Sequence, residues 1–454
     1  MKTFKLLLLF TCIVLMLSAC SGQPTETAQV SRTVTSSSVF STVTKSSATV
    51  QTTADSMQRA EETASSTLAA SDSVSLTPSP AGKKTIEIWV PPQLDPSKNP
   101  TLATVLREKI DEFTQENPNA VISIRVKAES GNSSAFNTLS AAKNAAPEVI
   151  PSLAILSRND MITAAQRGLI YPISTGIFTE GSTWFNYARK ASLVDNLIYG
   201  IPIAGDPIVL GYRPSMTGSE VTNWEEILSR GLPIGFYPAR PDDPFGAFIY
   251  LSKGGNMIDD LGRPWLDQSL LTSTLELFLT GGQQGAFPPS LAMENNPDRN
   301  MQLFLEGAMH MIVTHLSNFR YNQRTDTAAI PLPIDPEIDR YPMVNSWNIV
   351  LTDSNPNVQN LAVKFAEKLA APAFNDRWTQ ILGFLPVRTS DLESWEKDPF
   401  YDSMRFIAER AELIPVNNVL NAVLPSINSS ITSVIRTSSL PEDAARSAVE
   451  ALDK

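Results

Sequence analysis

Cysteine is nearly absent from this chain. Its 454 residues contain two, Cys12 and Cys20, both within the first twenty positions, so the remainder has no pair from which to close a disulfide. Histidine is as scarce. His310 and His315 are the only two, and a spacing of five sets them about 140° apart on a helix and on opposite faces of a strand, so neither geometry brings them to one metal ion. Positive charge is in deficit: 36 Lys and Arg against 47 Asp and Glu give a formal net charge of −11, which withdraws the attraction that nucleic acids require. Nucleic acid is not an expected partner. The sequence also lacks a nucleophile elbow, a Walker loop, a dinucleotide-binding glycine pattern and a zinc-protease histidine pair. Asp259-Asp260-Leu261-Gly262 lacks the ligand spacing of a calcium loop and reads as a turn. No catalytic residue, metal or cofactor is assigned.

What is present begins with an export segment. Lys2 and Lys5 precede an apolar core from Leu6 to Leu17, shorter than the roughly 20 residues of a spanning helix, and small residues follow. Leu17-Ser18-Ala19-Cys20 resembles the bacterial lipobox. That resemblance implies a signal peptide over residues 1–19 and lipidation of Cys20, with a plain signal peptide or an uncleaved anchor as alternatives. Without Lys2 and Lys5 the net charge falls to −13. From Ser21 to Pro80, 27 of 60 residues are Ser or Thr and Phe40 is the only aromatic, too little apolar surface to offset the entropy of ordering. Residues 20–82 are therefore expected to be a flexible tether with a span of about 40 Å, and Ala54 to Ala70 to form at most a transient helix.

Order is expected from Lys83. Thr85 to Val90 reads as a strand. Leu102, Val105, Leu106, Ile110 and Phe113 follow at helical spacing until Asn117-Pro118, and Ile122, Ile124 and Val126 alternate as a second strand. Glu148 to Leu156 reads as a buried third strand and Asp160 to Arg167 as a helix ended by Gly168. Strands alternating with helices predict an α/β fold with mainly parallel sheets, and the length calls for more than one core. Ala191 to Pro214 is the organising stretch: a polar turn, an apolar run from Leu197 to Ala204, a break at Gly205-Asp206-Pro207, and a second apolar run. It reads as a crossing between two lobes.

That crossing, VDNLIYGIPIAGDPIVLGYRPS with VTNWEEIL after it, resembles the hinge of the sugar-type extracellular solute-binding proteins of bacterial ABC transporters. IEIW, FTQENP, APEVIPSLAIL and ITAAQRGLIYPI resemble the family's first lobe. GAFIYLSKGGNMIDDLGRPWLD, FLTGGQQGAFPP and MQLFLEGAMHMIVTHLSNF resemble its second. Further crossings are expected near Met343 to Val350 and Gly383 to Arg388. The resemblance, over residues 84–454, implies a two-lobed periplasmic-binding-protein (Venus flytrap) fold with three hinge crossings. Residues 83–205 and 346–388 would form lobe 1, and residues 206–345 and 389–454 lobe 2. It also implies capture of a small molecule without turnover and delivery to ABC permease subunits. The protein would be a monomer on the outer side of the cell membrane, held there by its lipid anchor.

Sugar recognition needs flat apolar faces and directed hydrogen bonds, and ligands of such folds lie beyond the carboxyl ends of the strands. From this chemistry and the positions that the resemblance places near the cleft, the candidate ligand-binding residues are Trp89, Asp206, Tyr237, Arg240, Trp347 and Asn348. Each has a plainer reading: Trp89 as core, Asp206 as a turn cap, Tyr237 and Arg240 as a surface loop. Ser130 to Ser133, Gln283, Gln284 and Phe287 are weaker candidates. Two departures from the family pattern, Tyr212-Arg213-Pro214 after the first crossing and His315 where a Trp is common, leave the ligand unnamed. Arg213, Arg240 and Arg388 keep acidic sugars open. A tethered sensory or adhesion head is the alternative function. Glycoside hydrolysis stays open as a lesser one, because paired carboxylates need not be close in the chain.

Overall fold

Ile86, Ile88 and Val90 bury themselves in one apolar cluster and Trp89 in another, the period-two separation expected of a strand covered on both faces. The computed structural model describes residues 82–178, 183–218 and 222–452. The export segment, Cys20, the Ser/Thr-rich stretch through residue 81 and the Ala54 to Ala70 segment lie outside the described residues. The described residues all belong to one compact unit.

Along the chain, β1 (Lys84–Val90) leads through a turn at Pro92–Leu94 into α1 (Pro100–Glu116) and then β2 (Ala120–Val126). Asn99 caps α1 by accepting from the Leu102 N–H at 3.0 Å, and Pro100 sits where a missing N–H costs nothing. β3 (Leu153–Ser157) begins later than the sequence suggests, because Pro147–Val149 folds as a short turn of 3-10 helix. A small hairpin pairs Leu193–Val194 with Leu197–Ile198. Asp195 and Asn196 turn it with φ of 49° and 63°, the conformation such two-residue loops favour. The apolar run is thus divided at Tyr199. β4 (Gly200–Asp206) then continues through Gly205 and Asp206, and only Pro207, which has no N–H to donate, ends it.

The second lobe contains β5 (Ile208–Tyr212), β6 (Ile234–Gly235), α2 (Pro297–Glu306), β7 (Met311–His315), α3 (Leu316–Asn322) and β8 (Ala328–Pro331). Asn223 caps the short helix Trp224–Ser229 in a capping-box exchange. Asn223 accepts from the Glu226 N–H at 2.8 Å, and the Glu226 carboxylate accepts from the Thr222 N–H at 3.2 Å. The chain returns through β9 (Tyr341–Leu351), α4 (Pro356–Leu369) and α5 (Pro372–Leu382), and β10 (Ala411–Leu413) follows. The third crossing, Gly383 to Arg388, contains no strand. It is held where Gly205 and Leu385 exchange both backbone hydrogen bonds at 2.8 Å.

The first sheet has the order β10-β9-β3-β1-β2, with β4 also paired to β9. The second has the order β8-β5-β7-β6. Both are mixed: the first keeps the expected parallel majority, with three of its five strand pairings parallel, and the second is mainly antiparallel. β1 is parallel to β2 and β3, but β9 runs antiparallel to β3 and β4, and β5 antiparallel to β7 and β8. The reason is the crossing itself: a strand entering from the other lobe runs against those generated by strand-helix-strand steps. α1, α4 and α5 cover one face of the first sheet with Leu102, Phe113, Phe365 and Trp378, while Met161 and Ala164 cover the other. The second core centres on Phe236, Phe245, Phe278 and Phe287, whose rings lie 4.9 to 6.2 Å apart.

Candidate ligand-binding cleft

The carboxyl ends of the strands decide where a site can form. In the first lobe β1 opens into the Pro91 to Asn99 segment and β2 into Lys127 to Ser133. In the second, β7 opens directly into α3. These segments face each other across a cleft of about 420 Å³, lined on one side by Gln93, Asp95, Lys98, Asn99 and Glu129 and on the other by Ser317, Asn318 and Tyr321. Ile381 and Leu382, at the end of α5, add an apolar edge. Asp95 accepts from the Ser97 N–H at 2.9 Å, Asn99 is fixed as the α1 cap, and Gln93 Nε2 donates to Glu129 Oε2 at 2.7 Å. The first-lobe rim is therefore set before any ligand arrives. Opposite it, Tyr321 is 82% exposed, with Asn318 one turn earlier on the same helical face.

Asp206 positions that second wall. It is the last residue of β4, and its carboxylate accepts from the Ser317 N–H at 3.1 Å and the Ser317 hydroxyl at 2.7 Å. Burial raises its pKa; the neighbouring His315 and the two Ser317 bonds oppose that rise, and Glu129 adds to it. His315 Nδ1 stands 4.0 Å from Asp206 Oδ2. The first crossing is in this way fastened to the start of α3, the helix that presents Asn318 and Tyr321.

The model of the bacterial extracellular solute-binding protein family matches residues 108–401. The chain belongs to that family. The fold of this solute-binding protein is shared with the maltose-binding protein MalE of Listeria monocytogenes, solved with maltose (TM-score 0.66, 13% identity, covering 82% of this chain and 97% of that one). It is shared also with the sugar-binding protein MalE of Xanthomonas citri (0.65, 17%, covering 82% and 96%). The GacH receptor of Streptomyces glaucescens, solved unliganded and with acarbose, matches at 0.63 and 16%, covering 81% and 97%. At such identities the likeness is one of fold. No curated protein matches the sequence.

None of the six residues selected from sequence is among the side chains that line the cleft of this solute-binding protein. Trp89 is 1% exposed; its indole N–H donates to Glu87 at 2.6 Å, and the Lys127 ammonium lies 3.9 Å over its ring. Trp347 is buried beside the cleft, walling a recess that shares Glu129 with it. Asn348 is fully buried in β9. Tyr237 lies beyond β6 with its hydroxyl bonded to the Met301 backbone, and burial pushes its pKa up. Arg240 pairs with both oxygens of Asp242 at 2.9 and 2.7 Å and borders a different depression, beside Pro425. Asp206 acts through Ser317.

The basic residues that left acidic sugars open are engaged within the protein. Arg213 binds Asp326 and two carbonyls, and Arg388 pairs with Asp391 and lies 3.6 Å over the Trp184 ring. Of the weaker candidates, Phe287 is wholly buried in the second core. Sequence reasoning missed Ser317, Asn318 and Tyr321. The signal was available, since the rule of strand carboxyl ends applies to Met311–His315 as it does to the strands of the first lobe.

Proposed function

We propose that this solute-binding protein captures a carbohydrate between its lobes and delivers it to the membrane permease of an ABC importer, held at the membrane through Cys20. One observation carries the reading: an exposed aromatic ring, Tyr321, faces amide and carboxylate side chains of the other lobe across the cleft. A flat apolar face opposed by directed polar groups suits the C–H side and the hydroxyls of a sugar ring. The family is one of binding proteins, and fold relatives were solved with maltose and acarbose, which supports the same reading. The crossings at Asp206, Asn345-Ser346 and Arg388 would act as the hinge, with lobe 1 made of residues 83–205 and 346–388.

A thermal-shift screen of the purified protein against mono- and oligosaccharides, polyols, glycerophosphodiesters and short peptides tests this. Binding to the folded state alone raises stability by about 2.7 kcal/mol at a hundredfold excess over Kd. A carbohydrate is expected to give the shift, and Tyr321→Ala to weaken its binding about tenfold, as the loss of one stacking platform would. A shift produced only by peptides or glycerophosphodiesters would remove the carbohydrate reading and leave the family membership intact.

A further inference from the structure

A second depression of about 500 Å³ lies next to the cleft, wholly on the second lobe, between α2 and α3. Asn318 and Tyr321 belong to both. On the α2 side Asp298, Gln302 and Glu306 recur at every fourth residue, so they stand in one row on the helix. Met301 and Leu305 share that lining and give it an apolar component. On the α3 side Asn318, Tyr321 and Asn322 fall at spacings of three and four, which places them on a single face. The two rows bound a groove with amides and carboxylates along its walls and an exposed aromatic ring where it meets the cleft.

Hydrogen bonds run along its walls. The Tyr237 hydroxyl is bonded to the Met301 backbone, Gln302 Nε2 donates to Glu306 Oε1 at 2.9 Å, and Asn322 Nδ2 donates to the Asn318 carbonyl at 3.0 Å. Asp298 and Glu306 supply the only formal charges in the lining. A ligand unit bearing a carboxylate or phosphate would be repelled there, whereas hydroxyls would find acceptors at every step.

We propose that the ligand path continues out of the cleft, over Tyr321, into this groove, so that the protein takes an extended neutral oligosaccharide whose distal units rest on the second lobe alone. The inference rests on the carbohydrate reading and adds a ligand length and a second binding position to it. An aromatic ring common to two depressions is the junction: a sugar stacked on it has its neighbours directed to either side.

Titration calorimetry with glucose, maltose, maltotriose, maltotetraose and maltohexaose, and with the matching cello-oligosaccharides, tests it. In one series affinity should rise at least tenfold between the disaccharide and the longest member. The double variant Gln302→Ala, Glu306→Ala changes two exposed residues outside the cleft. It should abolish that rise while disaccharide affinity stays within about twofold, which also shows the variant to be folded. Equal affinity for short and long members, or a rise that survives in the double variant, overturns the groove and leaves the cleft as the whole site. Failure of every member of both series to bind, alongside a response to another class in the thermal screen, overturns the carbohydrate reading and the groove with it.

Discussion

Gly205 is the point where the first and third crossings touch, and replacing it with alanine tests how closely they are fitted. The residue exchanges two backbone hydrogen bonds with Leu385, and a Cβ added to it would lie 2.8 Å from Tyr187 Oη and 3.0 Å from Cζ and Cε2. Tyr187 has nowhere to retreat. It is 1% exposed and its hydroxyl donates to the Pro386 carbonyl at 2.6 Å. Overpacking of this kind costs about 1–3 kcal/mol, and losing the buried hydrogen bond adds about 1. Gly205→Ala should therefore lower the stability of the folded unit by about 2–4 kcal/mol, read from the urea midpoint at constant m. Tyr187→Phe removes the oxygen that makes the shortest contact and leaves the two carbons. In that background the alanine should cost about 1 kcal/mol less, a coupling that a double-mutant cycle resolves. A Gly205→Ala protein within 0.5 kcal/mol of the parent, or the same cost in both backgrounds, would refute the argument that the Tyr187 hydroxyl fills this junction.

Two further predictions concern buried carboxyls. Burial raises the pKa of Asp243 to about 6, against two backbone N–H bonds that lower it. The folded state therefore holds this proton after the unfolded chain has released it, and Asp243 makes stability fall as pH rises from about 4 to 6, by up to about 3 kcal/mol. Asp243→Asn should flatten that part of a stability-pH profile measured by urea unfolding; an unchanged slope would show that Asp243 is ionised in the folded protein throughout. Ser317→Ala withdraws a hydroxyl donor from the Asp206 carboxylate. It should destabilise by about 1.5–3 kcal/mol at pH 7 and by less at pH 4, where more of the carboxyl is protonated; an equal loss at both values would mean that the hydroxyl serves packing alone.

The first lobe was legible because its signals are local. Thr85 to Val90 became Lys84–Val90, the stripe from Leu102 to Phe113 became α1, and Ile122 to Val126 lies within β2. The direction of pairing was not legible. Nothing in MVNSWNIVL distinguishes a strand antiparallel to its neighbours from a parallel one, and crossing strands reverse the pattern that alternating strands and helices suggest. Among site residues, the chemistry of sugar recognition and the positions implied by the resemblance favoured tryptophan. Trp89 and Trp347 offer large faces, but both lie on strands whose two sides are covered, and long-range packing consumed them. Tyr321 sits on a seven-residue helix, and its exposure follows from how α3 leaves β7, a fact of tertiary placement.

The long strand β9 has a consequence for how the protein comes to be folded. It pairs with β3 through Trp347–Ser157 and with β4 through Asn345–Asp206, so the two strands that need it precede it by well over a hundred residues. Until residues 341–351 are made, one edge of β3 has no partner, and neither has the edge of β4. Closing such distant pairs is slow, and open strand edges invite pairing between chains. The first sheet, though it begins first, cannot finish before every strand of the second sheet has been synthesised. A chain emerging from a ribosome or a translocation pore would pass through a stage with its second sheet complete and its first still open, which makes that interval the one a chaperone must cover.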